Sequence, residues 1–226
     1  MTDFLLIHGA WHGGWCWNAV LDRIRARGHR AVAPTLTGLA DRSHLFSPSI
    51  GLNTHIADVV NTARWEEMDD IVLCGHSYGG MVISGAAELL EGKLAGIVFV
   101  DAFFPSDGQS CGDITGHVTP RDSAIPPPPA DWFGIANADD CARVAQLMTP
   151  HPANTIGDRI TLSGARERVP KKAYVLAGNR KRPYFQGPYE ALSKNPTWRT
   201  FDLPTGHHPM LDAPDALVNI FVEMST

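Results

Sequence analysis

Six short apolar runs, separated by stretches with helical periodicity, restrict this chain to one class of fold. DFLLIH (3–8), RAVAP (30–34), DIVLCG (70–75), AGIVFV (95–100), KAYVLA (172–177) and WRTFDL (198–203) have the length and composition of strands. Most are continuously apolar rather than alternating, so both of their faces must be covered, as in a parallel sheet flanked by helices. Between them Trp17, Val20, Leu21 and Ile24 fall at helical spacing, with Gly28 placed to end that helix. Leu52, Ile56, Val59, Val60 and Ala63 repeat the pattern, and so do Leu217, Ile220, Phe221 and Met224. Regular alternation of this kind predicts an α/β fold with a mostly parallel sheet.

The alternation fails between about 104 and 170. That stretch carries SAIPPPPADW and one helical pattern around Asp139 to Met148. Its Trp132, Phe133, Ile135, Val144, Leu147 and Met148 are too apolar for a disordered segment, and a long insertion inside a compact domain is usually functional. The expected organisation is a core over 1–103, a cap or lid over 104–170, and the rest of the core over 171–226.

The 226 residues fit one domain with an insertion. A net charge of -5, with NRKRP (179–183) as the one short basic stretch, excludes nucleic acid and anionic membrane as expected partners. Cys16, Cys74, Cys111 and Cys141 show neither a CxxC nor a metal-type spacing. MTDFLLIHGAWHGG has no basic n-region, and its apolar run is too short for a signal peptide or membrane helix. The expectation is a reduced, cytoplasmic protein acting on a small molecule. A homodimer is compatible with this composition.

The sharpest motif is Gly75-His76-Ser77-Tyr78-Gly79, between the buried run DIVLCG and the helical MVISGAAELL. In that context G-x-S-x-G is a nucleophile elbow, a cramped turn that lifts the serine oxygen to the carboxyl edge of the sheet. A serine hydroxyl also needs a base, and in this architecture the base follows the last strand. His207, in LPTGHHPM after WRTFDL, is in the right place; His208 is expected to line the pocket or lie in solvent. Acyl transfer further needs donors to an oxyanion: the N–H of Tyr78, directly after the nucleophile, and that of Ala10 in the small-residue loop HGAWHGG. Gly9 lets that loop approach the substrate. His8 and His12 could be read as metal ligands, but no third ligand lies near, and neither metal nor cofactor is expected.

From LLIHGA to GHHPMLDAP the chain resembles the α/β-hydrolase superfamily. IHGAWHGGWCW, GHSYGGMVISG and LMTPHPANTIGDRI are similar to the branch of plant methylesterases and hydroxynitrile lyases and their bacterial esterase relatives. The resemblance implies that lyases carry a threonine and a lysine where this sequence has Gly9 and His208. The missing lysine, which would supply positive charge for a leaving cyanide, favours ester hydrolysis. In one respect the sequence departs from the branch. Its triad acid belongs near Gly178-Asn179-Arg180, where no carboxylate stands. Asp101, at the end of the neighbouring strand, is the candidate in its place, with a Ser–His dyad as the alternative.

The expected reaction is hydrolysis of small, uncharged apolar or aromatic esters by Ser77, His207 and Asp101. Trp11, Phe103, Phe104, Trp132 and Phe133 are candidates to wall the pocket. A lyase or thioesterase on the same residues, or a slow-turnover receptor, remains open at this stage.

Overall fold

A computed structural model describes residues 2–117 and 119–225. All six expected strands form, as β1 (Asp3–Ile7), β2 (Arg30–Val32), β3 (Ile71–His76), β4 (Leu94–Val100), β7 (Lys171–Ala177) and β8 (Arg199–Leu203). They make one sheet in the order β2-β1-β3-β4-β7-β8, and every neighbouring pair is parallel. β2 stops at Val32 instead of running on to Pro34, which has no N–H for a ladder bond.

Neighbouring residues on a strand point to opposite faces, and here both faces are apolar. Leu5, Ile7, Leu73, Ile97 and Phe99 pack under α2 (Leu52–Trp65) and α3 (Gly79–Leu89). Phe4, Leu6, Val72, Val98 and Val100 pack under α1 (Asn18–Ala26) and α10 (Pro214–Glu223). This double burial is the cause of the continuously apolar runs. β8, at the edge, leaves Arg199 and Asp202 exposed.

Between β4 and β7 the chain leaves the sheet. This excursion carries α4 (Cys111–Thr115), β5 (Ala124–Ile125), α5 (Ala138–Leu147), β6 (His151–Pro152), α6 (Asn154–Gly157) and α7 (Ala165–Arg168). β5 and β6 pair antiparallel, with Ile125 opposite His151. The chain closes through α8 (Pro183–Leu192) and α9 (Pro209–Asp212) on either side of β8. No helix among the described residues is long and apolar enough to cross a membrane.

The strand order reverses direction between β1 and β3. In open α/β sheets, a crevice for ligands forms at the carboxyl ends of the strands beside such a switch point. α3 starts there and presses against β1: a Cβ on Gly79 would lie 2.8 Å from the Ile7 carbonyl oxygen. Gly79→Ala should therefore cost about 1–3 kcal/mol of stability in chemical denaturation. An unchanged midpoint would contradict this close approach.

Candidate active site

Ser77 occupies the turn between β3 and α3 with φ at 54°, a left-handed conformation that costs a non-glycine residue on the order of 1–3 kcal/mol. Three backbone bonds hold it there. Its N–H donates to Val100 O at 3.3 Å, and its carbonyl accepts from the N–H groups of Gly80 and Phe103, each at 3.0 Å. The side chain opens on a cavity of about 310 Å³, which His207 also lines. Gly9 permits the approach of the first loop, because a Cβ there would lie 2.9 Å from Ser77 Cβ.

His207 comes from the segment after β8 and is buried. Its Nδ1–H donates to Asp101 Oδ2 at 2.5 Å, and Asp101 Oδ1 accepts from the Ala177 N–H at 3.2 Å. A nitrogen that donates to a carboxylate leaves Nε2 without a proton, as a base requires. Phe185 and Phe133 stack on the ring, with centroids 5.2 and 6.0 Å away. Its backbone is held too: His207 N–H donates to Phe133 O at 2.9 Å, and His76 Nε2–H donates to His207 O at 2.6 Å. Ser77 Oγ and the His207 ring share the cavity without a hydrogen bond between them, a contact that commonly tightens only once substrate is bound.

Burial pushes the Asp101 carboxyl above the usual carboxylate range, against the pull of the Ala177 amide and the Arg182 charge. Burial pushes the His207 ring below the ordinary imidazole value, and Arg182 and Arg180 push it the same way. These arginines occupy the loop where the resemblance placed an acid. Arg182 lies over the Trp132 ring at 3.5 Å and donates to Trp132 O at 3.2 Å, while Arg180 donates to Asp131 O at 3.4 Å. They fasten the excursion and touch neither Asp101 nor His207 by hydrogen bond.

The N–H groups of Ala10 and Tyr78 have no partner among the described residues, and both residues line the cavity. His8 explains the aim of the first. Its Nδ1–H donates to Gly9 O at 2.8 Å, and a planar trans peptide with its carbonyl held one way directs the following N–H the other way. His8 Nε2 accepts from the Leu36 N–H at 3.0 Å, so the ring is neutral, and burial lowers its pKa to about 3. His12 likewise donates from Nδ1 to Ala10 O at 2.7 Å, and burial lowers its pKa to about 4. Both rings are thus engaged by the loop after β1 itself.

The expectation for His208 needs correction. It is neither in solvent nor in the cavity wall. It is fully buried, and its Nε2–H donates to His12 Nε2 at 2.9 Å. Phe104 also turns away from the cavity, packing edge-on to Phe99 and Trp198 under the Arg166 guanidinium. Gly9, Trp11, Phe103, Trp132 and Phe133 do line the cavity, joined by Tyr184 and Phe185. Sequence reasoning missed the wider framework: His55, His76 and His151 are buried alongside His8, His12, His207 and His208. The only hint was the number of histidines, ten in all, set beside glycines and strand ends.

Residues 4–220 match the sequence pattern of the alpha/beta hydrolase family. The chain belongs to that family. A carbendazim-hydrolysing esterase of Nocardioides sp. (strain SG-4G) is 34% identical over 96% of this chain and 97% of its own length. Methylesterase 7 of Arabidopsis thaliana is 32% identical over 45% of this chain and 40% of its own. Among solved structures, an extracellular alpha/beta-hydrolase from a Paenibacillus species superposes with a TM-score of 0.83 over 99% of both chains at 22% identity, a likeness of fold. The resemblance to methylesterases and bacterial esterases is thereby borne out.

For a reaction in which His207 serves as base, the sign of the pH dependence follows. A lowered ring pKa keeps Nε2 free further into acid, so activity is present above that pKa and lost as pH falls through it. The acid limb of kcat/KM should lie below pH 6.5, the ordinary imidazole value. Arg182→Gln should move it upward. A limb above 6.5 in the unaltered protein would contradict this electrostatic picture.

Proposed function

We propose that this ester hydrolase cleaves small, uncharged carboxylic esters with an apolar or aromatic part, through an acyl-enzyme on Ser77. The observation that carries the reading is the pairing, on one cavity, of a strained serine with a buried imidazole whose far nitrogen is held by Asp101. Ser77 Oγ attacks the ester carbonyl as His207 Nε2 takes its proton. The carbonyl oxygen gains negative charge between the N–H groups of Ala10 and Tyr78, at the N-terminus of α3, whose dipole favours it. Collapse expels the alcohol, which takes the proton from His207. Water then repeats the sequence on the acyl-enzyme, releasing the carboxylic acid and restoring Ser77.

Asp101 keeps the ring in the tautomer that leaves Nε2 free and stabilises the imidazolium formed in each half-reaction. Residues 104–170 serve as the cap, contributing Trp132, Phe133 and Ile125 to the cavity wall. Among the described residues no Asp, Glu, Lys or Arg lines the cavity, which supports an uncharged ester. Its volume, about 310 Å³, suits a compact substrate, and its aromatic wall suits an aryl or heteroaryl group such as that of carbendazim. The residue after His207 supports hydrolysis over cyanide release, because His208 is buried, neutral and spent on His12.

Purified protein should hydrolyse 4-nitrophenyl butyrate, and Ser77→Ala should abolish that turnover. Asp101→Asn should lower kcat on the order of 10⁴ in a protein that still folds, as loss of a triad aspartate does elsewhere. A rate near that of the unaltered protein for Asp101→Asn would leave a Ser–His dyad. Carbendazim and a series of methyl and aryl esters, assayed side by side, then rank the substrates.

A further inference from the structure

We propose that the β5–β6 ribbon, through His151, holds the oxyanion loop in its working conformation, so that seating of the cap is a condition of turnover and His151 is a positioning residue for hydrolysis. The inference rests on the oxyanion role of Ala10 proposed above.

Trp11 follows Ala10 and has φ at 65°. That conformation is a genuine outlier for a bulky aromatic residue and needs outside support. His12 holds the carbonyl of the preceding Ala10, and the hydrogen bonds made by Trp11 itself all go to the excursion. Trp11 N–H donates to His151 Nδ1 at 3.3 Å, Trp11 O accepts from Thr149 N–H at 3.0 Å, and the indole Nε1–H donates to Ile125 O at 3.1 Å. Ile125 and His151 face each other across the ribbon, so a single two-stranded element supplies two of these three contacts.

The ring of His151 is built for this one task. Thr155 Oγ1 gives its proton to Pro152 O at 2.7 Å, so it accepts from His151 Nε2–H, also at 2.7 Å. Nδ1 is then a lone pair, aimed at the Trp11 amide. The ring is fully buried, edge-on to Tyr78 at 4.9 Å and near His55 at 5.9 Å. Tyr78 carries the second oxyanion donor, and its hydroxyl is anchored on His55 Nδ1 at 3.0 Å. His151 therefore touches the supports of both donors while lining no part of the cavity.

The division of labour across Ala10 is what makes the cap matter. On its upstream side the peptide is fixed by His8, a core residue next to β1. On its downstream side the strained residue is fixed by a segment about 140 positions away in sequence. With the cap unseated, Trp11 relaxes towards negative φ, which pulls the Ala10–Trp11 peptide against its His12 bond and passes the shift through the Ala10 Cα to the N–H on its other side. The donor that should meet the oxyanion is then displaced. Substrate binding would suffer little, because the oxyanion exists only in the transition state.

The test compares His151→Ala with the unaltered protein in two readouts: kcat and KM for 4-nitrophenyl butyrate, and the inhibition constant of phenylboronic acid, a tetrahedral mimic once bound to the serine oxygen. Expected are parallel losses in kcat and in boronate affinity of about tenfold to a hundredfold, with KM little changed, below the roughly 10²–10³ lost when an oxyanion donor is deleted outright. His151→Asn, which can return an acceptor to the Trp11 amide, should recover most of both. Glycine adopts positive φ freely, so His151→Ala should cost far less when combined with Trp11→Gly. Boronate affinity that survives His151→Ala would overturn the proposal, as would an equal cost with and without Trp11→Gly.

Should His151→Ala fail to fold, Trp11→Phe keeps an aromatic ring of smaller size on the cavity and removes the indole N–H that donates to Ile125 O. It should lower kcat and boronate affinity together by a few-fold, and no change in either would count against the ribbon. Ser77→Ala run alongside separates the two claims. Turnover that survives it removes the serine reading itself. An inactive Ser77→Ala beside an unimpaired His151→Ala removes the ribbon's role alone.

Discussion

A parallel sheet brings the carboxyl ends of all its strands to one edge, and everything in this site depends on that. Ala10 follows β1, Ser77 follows β3, Asp101 follows β4 and His207 follows β8. No two of the four are close in sequence, yet all are delivered to one edge because every neighbouring pair of strands in the sheet is parallel. The cost is conformational. Ser77, Asp101 and Trp11 all sit at positive φ where the chain leaves its strand or the loop beyond it. Such residues persist only where the surroundings over-determine them. Here the surroundings are a dense set of backbone bonds into β4, β7 and the excursion.

Burial of histidine is the second theme. Seven rings lie out of water, and an imidazolium with no partner is too costly to hold there. Wherever a ring has two partners, one nitrogen donates and the other accepts, as His8, His12, His55 and His151 show. A neutral ring used in this way acts as a directional strut. It fixes peptide planes without bringing charge to the cavity. Positive charge is kept to Arg180 and Arg182, outside the cavity wall, where it bears on His207 through space.

Much of this was legible in the sequence because it is local. Six apolar runs gave their strands to within a residue or two, since burial on both faces leaves no ambiguity of period. The turn at Ser77 was legible from the glycines around it, while the meeting of Asp101 with His207 was anticipated only through the family resemblance, which places an acid in a loop that here has none. What escaped was set by contacts distant along the chain. His208 finds its partner 196 residues away, so no local pattern could tell it from a pocket residue. Phe103 and Phe104 are neighbours, yet one lines the cavity and the other packs on Phe99 and Trp198, a choice made by a turn that periodicity does not describe. The β5–β6 ribbon has two residues on each strand, too few to show any period.

The central claim, that an oxygen on Ser77 carries the acyl group, is most directly tested by intact mass and peptide mapping after exposure to diethyl 4-nitrophenyl phosphate. This reagent transfers a diethylphosphoryl group to an activated serine and releases 4-nitrophenol. A single added diethylphosphoryl group is expected, located on the peptide containing Ser77, with ester turnover lost in step with labelling. Label on another side chain such as Cys111, or full turnover in protein labelled at Ser77, would contradict it.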